Sequence, residues 1–172
     1  MNQINITFPD DAVRSYHHGV SGEEIAQSIS PQFAKKVYAA KVNGNEQELR
    51  LPIEADSKIE FLMFDSPYGK ETFWHSSSHV LAQAIKRLYP SAELGFGPAI
   101  ENGFFYDIKY DQKLNEDDFE KIEAEIKKII KENHQIVRKE LSKDEAVAYF
   151  KGIGEHLKAE HITDIYDRGE SI

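Results

Sequence analysis

Apolar and polar residues alternate along the first third of the chain in the pattern of β-strands. Ile4, Ile6 and Phe8 are separated by polar residues, so they share one face of an extended segment. The turn-forming run Pro9-Asp10-Asp11 ends that strand. Four further segments alternate in the same way or are rich in β-branched and aromatic residues: 14–18, 37–42, 46–51 and 58–63.

Helix and turn signals separate these predicted strands. Ser21-Gly22-Glu23-Glu24 places a Ser three residues before a Glu, which is the pattern of a capping box and predicts a helix through Ile29. Pro31 is expected to close that turn. Asn43-Gly44 is a strong hairpin signal between two strands. The order β-β-α-β-β-(β) within residues 1–64 predicts a ubiquitin-like β-grasp domain.

After residue 64 the apolar spacing lengthens to between three and four residues, which is typical of helices. The segment Asp65–Gly69 has the composition of a turn and predicts a domain boundary. Leu81, Ile85 and Leu88 then fall on one stripe, so a helix is expected over residues 74–89.

A longer helix is expected after Asn115, because Asn is a good capping residue and three acidic residues follow it in the first turn. Its predicted buried stripe consists of Phe119, Ile122, Ile126, Ile129 and Ile130. A capping box at Ser142–Glu145 predicts a short helix through Phe150, and residues 155–161 predict another. Strand and tight loop are expected over 95–107, a further strand over 136–141, and the beginning of another strand at 171–172.

Composition narrows the class of protein. The chain has 172 residues, of which 40% are hydrophobic, enough for one medium domain or two small ones. It has no cysteine, which excludes disulfides, thiolate metal sites and cysteine nucleophiles within these residues and fits a reducing cytosol. No apolar run approaches the roughly 18 residues that span a bilayer, and the net charge of −9 opposes non-specific binding to a phosphate backbone. We therefore expect a cytoplasmic protein with no membrane partner.

The most pointed candidate site is His75-Ser76-Ser77-Ser78-His79. Two histidines four apart on a helix project from the same face and can converge on one metal ion, one scissile carbonyl or one phosphate. The alternative is a first helical turn with exposed or already hydrogen-bonded imidazoles. Water is favoured over a serine nucleophile, since no acidic residue lies near in sequence to orient a histidine base.

Metal and cofactor sites are not expected in these residues. A zinc ion needs three or four ligands, so the third would have to be a distant His134, His156, His161 or a carboxylate. The glycines of Gly95–Pro98 do not complete a dinucleotide-binding fingerprint. They are better explained as points where the backbone passes close to a neighbouring strand or ligand, and Phe104, Phe105 and Tyr106 as ordinary packing residues.

Two consecutive strings in the second half of the chain are distinctive. FWHSSSHVLAQAIKRLYP is followed by LGFGPAIENGFFYD, with a His-x-x-x-His helix and then a Gly-Pro-x-Ile-x-Asn-Gly-Phe-x-Tyr-Asp segment. Together they resemble the editing domain of bacterial threonyl-tRNA synthetases, an α+β domain of the threonyl/alanyl-tRNA synthetase second additional domain type. Residues 1–64 resemble the TGS domain that precedes it in that family. The resemblance implies a TGS domain at 1–64 and the N-terminal, truncated portion of an editing domain at 65–172.

The resemblance also implies a function. These enzymes ligate threonine to tRNA(Thr) with ATP, and their editing domain hydrolyses mischarged seryl-tRNA(Thr). By motif, His75 and His79 correspond to the two editing histidines, and Lys158 aligns more loosely with a pocket lysine. The resemblance places ATP and zinc in a catalytic domain absent from these residues, and homodimer formation in domains that are also absent.

One departure from the family limits what this chain is expected to do alone. The family completes its editing pocket with a downstream Cys-x-x-x-His segment, and this chain has no cysteine. We expect the fragment alone to be inactive. An alternative is a non-enzymatic RNA-binding or regulatory module on the same scaffold. The related editing domain of alanyl-tRNA synthetases is a further alternative, against which the preceding β-grasp domain argues.

Overall fold

A computed structural model describes residues 3–135, 137 and 139–169. The chain forms two compact units, Met1–Trp74 and His75–Ile172. Sheets and helices occur in both, which confirms the α+β class. Among the described residues, no helix is both long enough and apolar enough to cross a membrane.

The first unit is built on one five-stranded sheet. Its elements are β1 (Gln3–Thr7), β2 (Val13–His17), β3 (Val20–Ser21), α1 (Gly22–Ile29), α2 (Pro31–Ala34), β4 (Val37–Val42), β5 (Asn45–Gln47), β6 (Pro52–Ile53) and β7 (Ser57–Met63). The strand order is β2-β1-β7-β4-β5, with β1 parallel to β7 and the other neighbours antiparallel, while β3 pairs with β6. This mixed sheet with a helix inserted after the first hairpin confirms the predicted β-grasp.

The alternation predicted for β1 defines the core of this unit. Ile4 and Ile6 are buried and pack with Ile25 of α1, so the helix covers one face of the sheet. The capping box that begins α1 is present: Glu24 N donates to Ser21 Oγ at 3.2 Å, and Ser21 N donates to Glu24 Oε2 at 2.8 Å. Local sequence signals and long-range packing therefore agree here.

Two predictions in the first unit need correction. Pro31 does not simply close a turn but begins α2, because Ser30 Oγ accepts a hydrogen bond from Phe33 N at 3.0 Å. The strand expected over 46–51 is interrupted, since β5 ends at Gln47 and the chain reaches β6 only at Pro52. The hairpin itself is confirmed, with positive φ angles of 50° at Asn43 and 86° at Gly44.

The turn expected at Asp65–Gly69 is shorter than predicted and ends at Ser66. Helix α3 (Pro67–Leu88) begins inside the expected turn segment, seven residues before the predicted start at 74. Pro67 suits a first helical position, and Ser66 Oγ accepts from Gly69 N at 3.1 Å, which satisfies an amide at the helix start. The side-chain-free Gly69 lets the helix pass against the Met63 carbonyl, because a Cβ there would overlap that oxygen.

The second unit is mainly helical. After the part of α3 that it contains, its elements are β8 (Glu93–Leu94), β9 (Ala99–Ile100), β10 (Gly103–Phe104), β11 (Ile108–Lys109), α4 (Glu116–Glu132), α5 (Lys143–Gly152) and α6 (His156–Asp167). The short strands form two antiparallel pairs, β9 with β10 and β8 with β11. The core contains Ala82, Ile85, Ala92, Leu94 and Ile122. Of the predicted apolar stripe of α3, Ile85 is buried, and Leu81 and Leu88 are partly buried and pack against this core.

The predicted stripe of α4 is partly wrong. Ile122 and Ile129 are buried, but Phe119 is 56% and Ile130 is 64% exposed. At about 100° per residue, Phe119 and Ile130 point about 80° away from the stripe that contains Ile122 and Ile129. The helix therefore has two apolar directions, and only one of them faces the described core.

The remaining helices are longer than predicted. Helix α5 follows its capping box as expected, whereas α6 continues to Asp167 rather than ending at 161. The strand predicted over 136–141 includes positions 136 and 138, which lie outside the described residues, and the described part of that segment is not a strand. The strand start predicted at 171–172 also lies outside them.

Candidate functional site

The His75–His79 pair lies on the part of α3 that belongs to the second unit. The i, i+4 spacing places both imidazoles on one face, and their Nε2 atoms are 3.0 Å apart. The rings are nearly perpendicular, at 86°, with their centroids 4.6 Å apart. The predicted convergence of the two histidines is therefore present.

This contact constrains the protonation of the pair. A 3.0 Å separation of two ring nitrogens is a hydrogen bond only if one Nε2 carries a proton and the other accepts it. Loss of solvent around the ring lowers the pKa of His79 below its usual value, and the nearby charges of His75 and Lys158 lower it further. His79 is therefore neutral near pH 7 and suited to accept a proton.

Ser78, one of the serines between the two histidines, is not arranged as a nucleophile. Ser78 is fully buried, and its Oγ donates to the His75 carbonyl at 2.7 Å. This hydroxyl bonds to the backbone of its own helix and is shielded from solvent. Ser78 thus supports the helix at the histidine pair and is not positioned to attack a substrate.

Lys158 approaches the same site from α6. Its Nζ is 3.4 Å from the Tyr106 hydroxyl, 6.0 Å from the centre of the Tyr106 ring and 5.8 Å from that of Phe150. Its charge also contributes to the lowered pKa of His79. The two histidines thus touch directly, whereas Lys158 contacts Tyr106 and Phe150 and acts on His79 through its charge.

Tyr106 makes a contact that the sequence did not predict. It packs against the core of the second unit, as expected, and its hydroxyl also lies within reach of the Lys158 ammonium. The ring packs so closely on Gly97 that a Cβ at position 97 would overlap it. The glycine spacing signalled a close approach of the backbone, but nothing in the local sequence identified Tyr106 as the neighbour.

Two of the more distant histidines, His134 and His161, have neighbours outside the His75–His79 pair. His134 Nε2 lies 2.8 Å from Glu132 Oε2, and the His161 ring packs against Phe96 with centroids 5.2 Å apart. Within residues 3–135, 137 and 139–169, no group of three or more His, Cys, Asp or Glu side chains is arranged to hold a metal ion.

Comparison with known proteins identifies the first unit. The TGS domain family matches residues 4–63, which span the five-stranded sheet and its covering helix. These residues are a TGS domain. The similarity to known proteins extends beyond this TGS domain and through the unit that carries the histidines.

The chain is similar over nearly its whole length to bacterial threonine–tRNA ligases. It is 47% identical to that of Geobacillus kaustophilus (strain HTA426), over 97% of this chain and 27% of the relative. It is 46% identical to threonine–tRNA ligase 1 of Bacillus subtilis (strain 168), over 99% of this chain and 26% of the relative. It is 44% identical to the ligase of Hyphomonas neptunium (strain ATCC 15444), over 98% of this chain and 26% of the relative. The chain therefore spans about a quarter of the length of these relatives.

Proposed function

We propose that this chain is the N-terminal region of a threonyl-tRNA synthetase and that its second unit takes part in hydrolytic editing of seryl-tRNA(Thr). In this proposal residues 1–64 are the TGS domain and residues 65–172 are the N-terminal portion of the editing domain. The similarity to threonine–tRNA ligases over 97% of the chain supports the assignment. The observation that carries the editing function is the 3.0 Å contact between the His75 and His79 Nε2 atoms beside the charge of Lys158.

The proposed reaction is hydrolysis of the ester that joins serine to the terminal ribose. Water attacks the ester carbonyl carbon, the bond to the ribose oxygen breaks, and serine and a free tRNA hydroxyl are released. His79 is neutral, accepts a proton of the attacking water and returns it to the departing ribose oxygen, while its hydrogen bond to His75 orients the ring. The Lys158 ammonium stabilises the negative charge that develops on the carbonyl oxygen.

The need for such a reaction follows from the chemistry of serine and threonine. The two amino acids differ by one methyl group, which contributes only about 1–3 kcal/mol to discrimination in a binding pocket. A smaller amino acid is also difficult to exclude by shape. A second site that hydrolyses the wrong product supplies the missing specificity.

The remaining properties of the enzyme are proposed for regions outside this chain. ATP and zinc would serve the aminoacylation site of the full-length ligase, as the similarity to threonine–tRNA ligases supports. The tRNA(Thr) partner, homodimer formation and cytoplasmic location belong to the same proposal. No step of the editing reaction above depends on a metal ion.

The editing role is tested in the full-length ligase by replacing His75 and His79 with Ala, singly and together. We expect hydrolysis of seryl-tRNA(Thr) to fall about 10²- to 10⁴-fold, the usual contribution of a positioned general base. Threonine activation should be unchanged. His134→Ala is a matched control, because His134 is exposed and pairs with Glu132. Lost tRNA affinity with unchanged hydrolysis per bound tRNA would instead favour the non-enzymatic RNA-binding alternative.

A second test compares this chain with one extended through the family's Cys-x-x-x-His segment. We expect the 172-residue chain to hydrolyse seryl-tRNA(Thr) far more slowly, because the pocket would lack those side chains. Equal turnover by the two chains would contradict this expectation.

A further inference from the structure

Glu155 is a buried carboxylate that the proposed reaction does not use. It is 5% exposed and lies immediately before α6. One carboxylate oxygen is 2.8 Å from Lys86 Nζ on α3, and the other accepts a hydrogen bond from Leu94 N in β8 at 3.2 Å. A buried charge needs such partners, because removal from water without them is costly.

The Lys86 ammonium is likewise held by several partners. Besides Glu155, its ammonium donates to the carbonyls of Ala92 at 2.8 Å and Pro90 at 3.2 Å. The three acceptors match the three protons of an ammonium. The pair therefore ties together the end of α3, the segment that enters β8, and the beginning of α6.

The Lys158–Tyr106 contact depends on Glu155 through both of its residues. Lys158 lies three residues after Glu155, within the first turn of α6, so the position of Glu155 sets the position of its backbone. Leu94, which Glu155 holds, pairs in register with Ile108 of β11, two residues after Tyr106. The Glu155 carboxylate thus fixes the positions of both the helix that carries Lys158 and the strand pair next to Tyr106.

We propose that Glu155, held by Lys86, is a positioning residue that places Lys158 in the editing site. The inference rests on the proposed editing function for its role in the reaction. Lys158 has four rotatable side-chain bonds and needs a fixed backbone to place its ammonium, and a displacement of about 1 Å can reduce a catalytic rate about 100-fold. Glu155 acts through Lys158 and does not touch the substrate.

The first experiment measures hydrolysis of seryl-tRNA(Thr) by full-length enzyme carrying Glu155→Gln. Glutamine keeps the shape and an acceptor for Leu94 N but removes the charge that holds Lys86. We expect kcat to fall about 10-fold or more with little change in KM, since the interaction lost is made with the transition state. Lys86→Arg should retain most of the activity because it keeps the ion pair, whereas Lys86→Met should behave like Glu155→Gln.

Arg87→Gln is the matched control. Arg87 is the neighbour of Lys86 on α3, but it pairs with Glu125 and Glu132 of α4 rather than with α6. Its replacement removes ion pairs of the same unit without releasing Lys158. We expect kcat for editing to be unchanged.

The second experiment does not depend on activity. NMR titration of the 172-residue chain gives the pKa of His79, on which His75 and Lys158 act. If Glu155→Gln releases Lys158, the pKa of His79 should rise, as it should in Lys158→Met. Direct removal of the Glu155 negative charge would shift the pKa in the opposite direction, so a rise is diagnostic. Arg87→Gln should not reproduce it.

The outcomes separate the two proposals. A wild-type enzyme that does not hydrolyse seryl-tRNA(Thr) contradicts the proposed function, while the His79 titration still tests the placement of Lys158. If the wild type is active, an unchanged kcat or an unchanged pKa of His79 in Glu155→Gln overturns the positioning role. If circular dichroism shows that this variant is unfolded, the same two readouts on Lys86→Met and Lys86→Arg decide the question.

Discussion

The two units distribute apolar and charged residues differently. In the first unit the described large apolar side chains that are exposed are Val13, Ile29 and Phe64, whereas in the second they are Phe96, Ile100, Phe105, Phe119, Ile130, Val137, Leu141, Tyr149, Ile153 and Tyr166. The second unit also buries two carboxylates, Glu125 and Glu155, and the first buries none among its described residues. Both units thus have an apolar core, but the second also buries two carboxylates and exposes many more large apolar side chains than the first.

This contrast indicates that buried packing stabilises the first unit, whereas the second also holds charged groups in place. A sheet closed by a helix over buried isoleucines obtains its stability from packing, and no charged group is needed in its interior. The second unit holds charged groups at fixed positions, which costs desolvation but orients groups such as Lys158. We therefore expect mutations in the first unit to act on stability and several mutations in the second to act on the site.

The largest effect on stability is expected for Ile6→Ala in the first unit. Ile6 is fully buried in the sheet core, so the variant loses transfer free energy and leaves a cavity, at a cost of about 2–5 kcal/mol. The control is Val13→Thr, on the neighbouring strand and 60% exposed, which should change the free energy of unfolding by about 0.5 kcal/mol or less. Urea unfolding followed by hydrogen exchange of the β1 amides measures both. Equal losses would show that packing in this unit is not concentrated in its core.

A smaller effect is expected for Gly97→Ala in the second unit. The new methyl group would overlap the Tyr106 ring, and overpacking of this kind costs about 1–3 kcal/mol. Gly152→Ala is the control, because a Cβ there meets no atom within 4 Å. It should be neutral or raise stability by up to about 1 kcal/mol by reducing the freedom of the unfolded chain. Thermal unfolding compares the two, and a neutral Gly97→Ala would mean that Tyr106 has room to move.

Contacts between residues close in sequence could be predicted, whereas contacts between distant residues could not. Capping boxes such as Ser21–Glu24 were predictable because all their partners lie within four residues, and the His75–His79 pair was predictable for the same reason. The contact between Tyr106 and Lys158 joins residues 52 apart, so no local pattern contains it. Lys158 was assigned only through resemblance to a family.

The errors also have physical causes. The start of α3 was missed because Pro67 and Gly69 are typical of turns, yet a proline also suits the first turn of a helix. The exposure of Ile130 was missed because helical periodicity defines a direction only within a broad sector. Which apolar direction is buried depends on the tertiary partner, which spacing does not specify.

Acid should weaken the second unit through the Arg87–Glu132 pair. The hydrogen bond from Arg87 lowers the pKa of Glu132 from 4.5 to about 2. A carboxyl with a lowered folded-state pKa stabilises the fold fully above its unfolded value, and that contribution is lost as the pH falls from 4.5 towards 2. The effect should be modest, because both side chains are about a third exposed.

Two variants check this pH dependence. Glu132→Gln should flatten the fall in Tm of the second unit between pH 4.5 and 2. Glu24→Gln provides the counterpart in the first unit, because hydrogen bonds from Ser21 lower the pKa of Glu24. A wild-type Tm for the second unit that does not change across this range would exclude a contribution from the pair.

The smallest effect is expected for Ile130→Gln on the exposed side of α4. Ile130 is 64% exposed, so a polar residue of similar length should change the free energy of unfolding by about 0.5 kcal/mol or less. Ile129→Gln, one position away and buried, should be far more destabilising because it places an amide in the core. Urea unfolding of both variants makes the comparison. A loss of about 2 kcal/mol for Ile130→Gln would mean that the exposed apolar side of α4 is buried in solution. The two units would then differ mainly in their buried carboxylates.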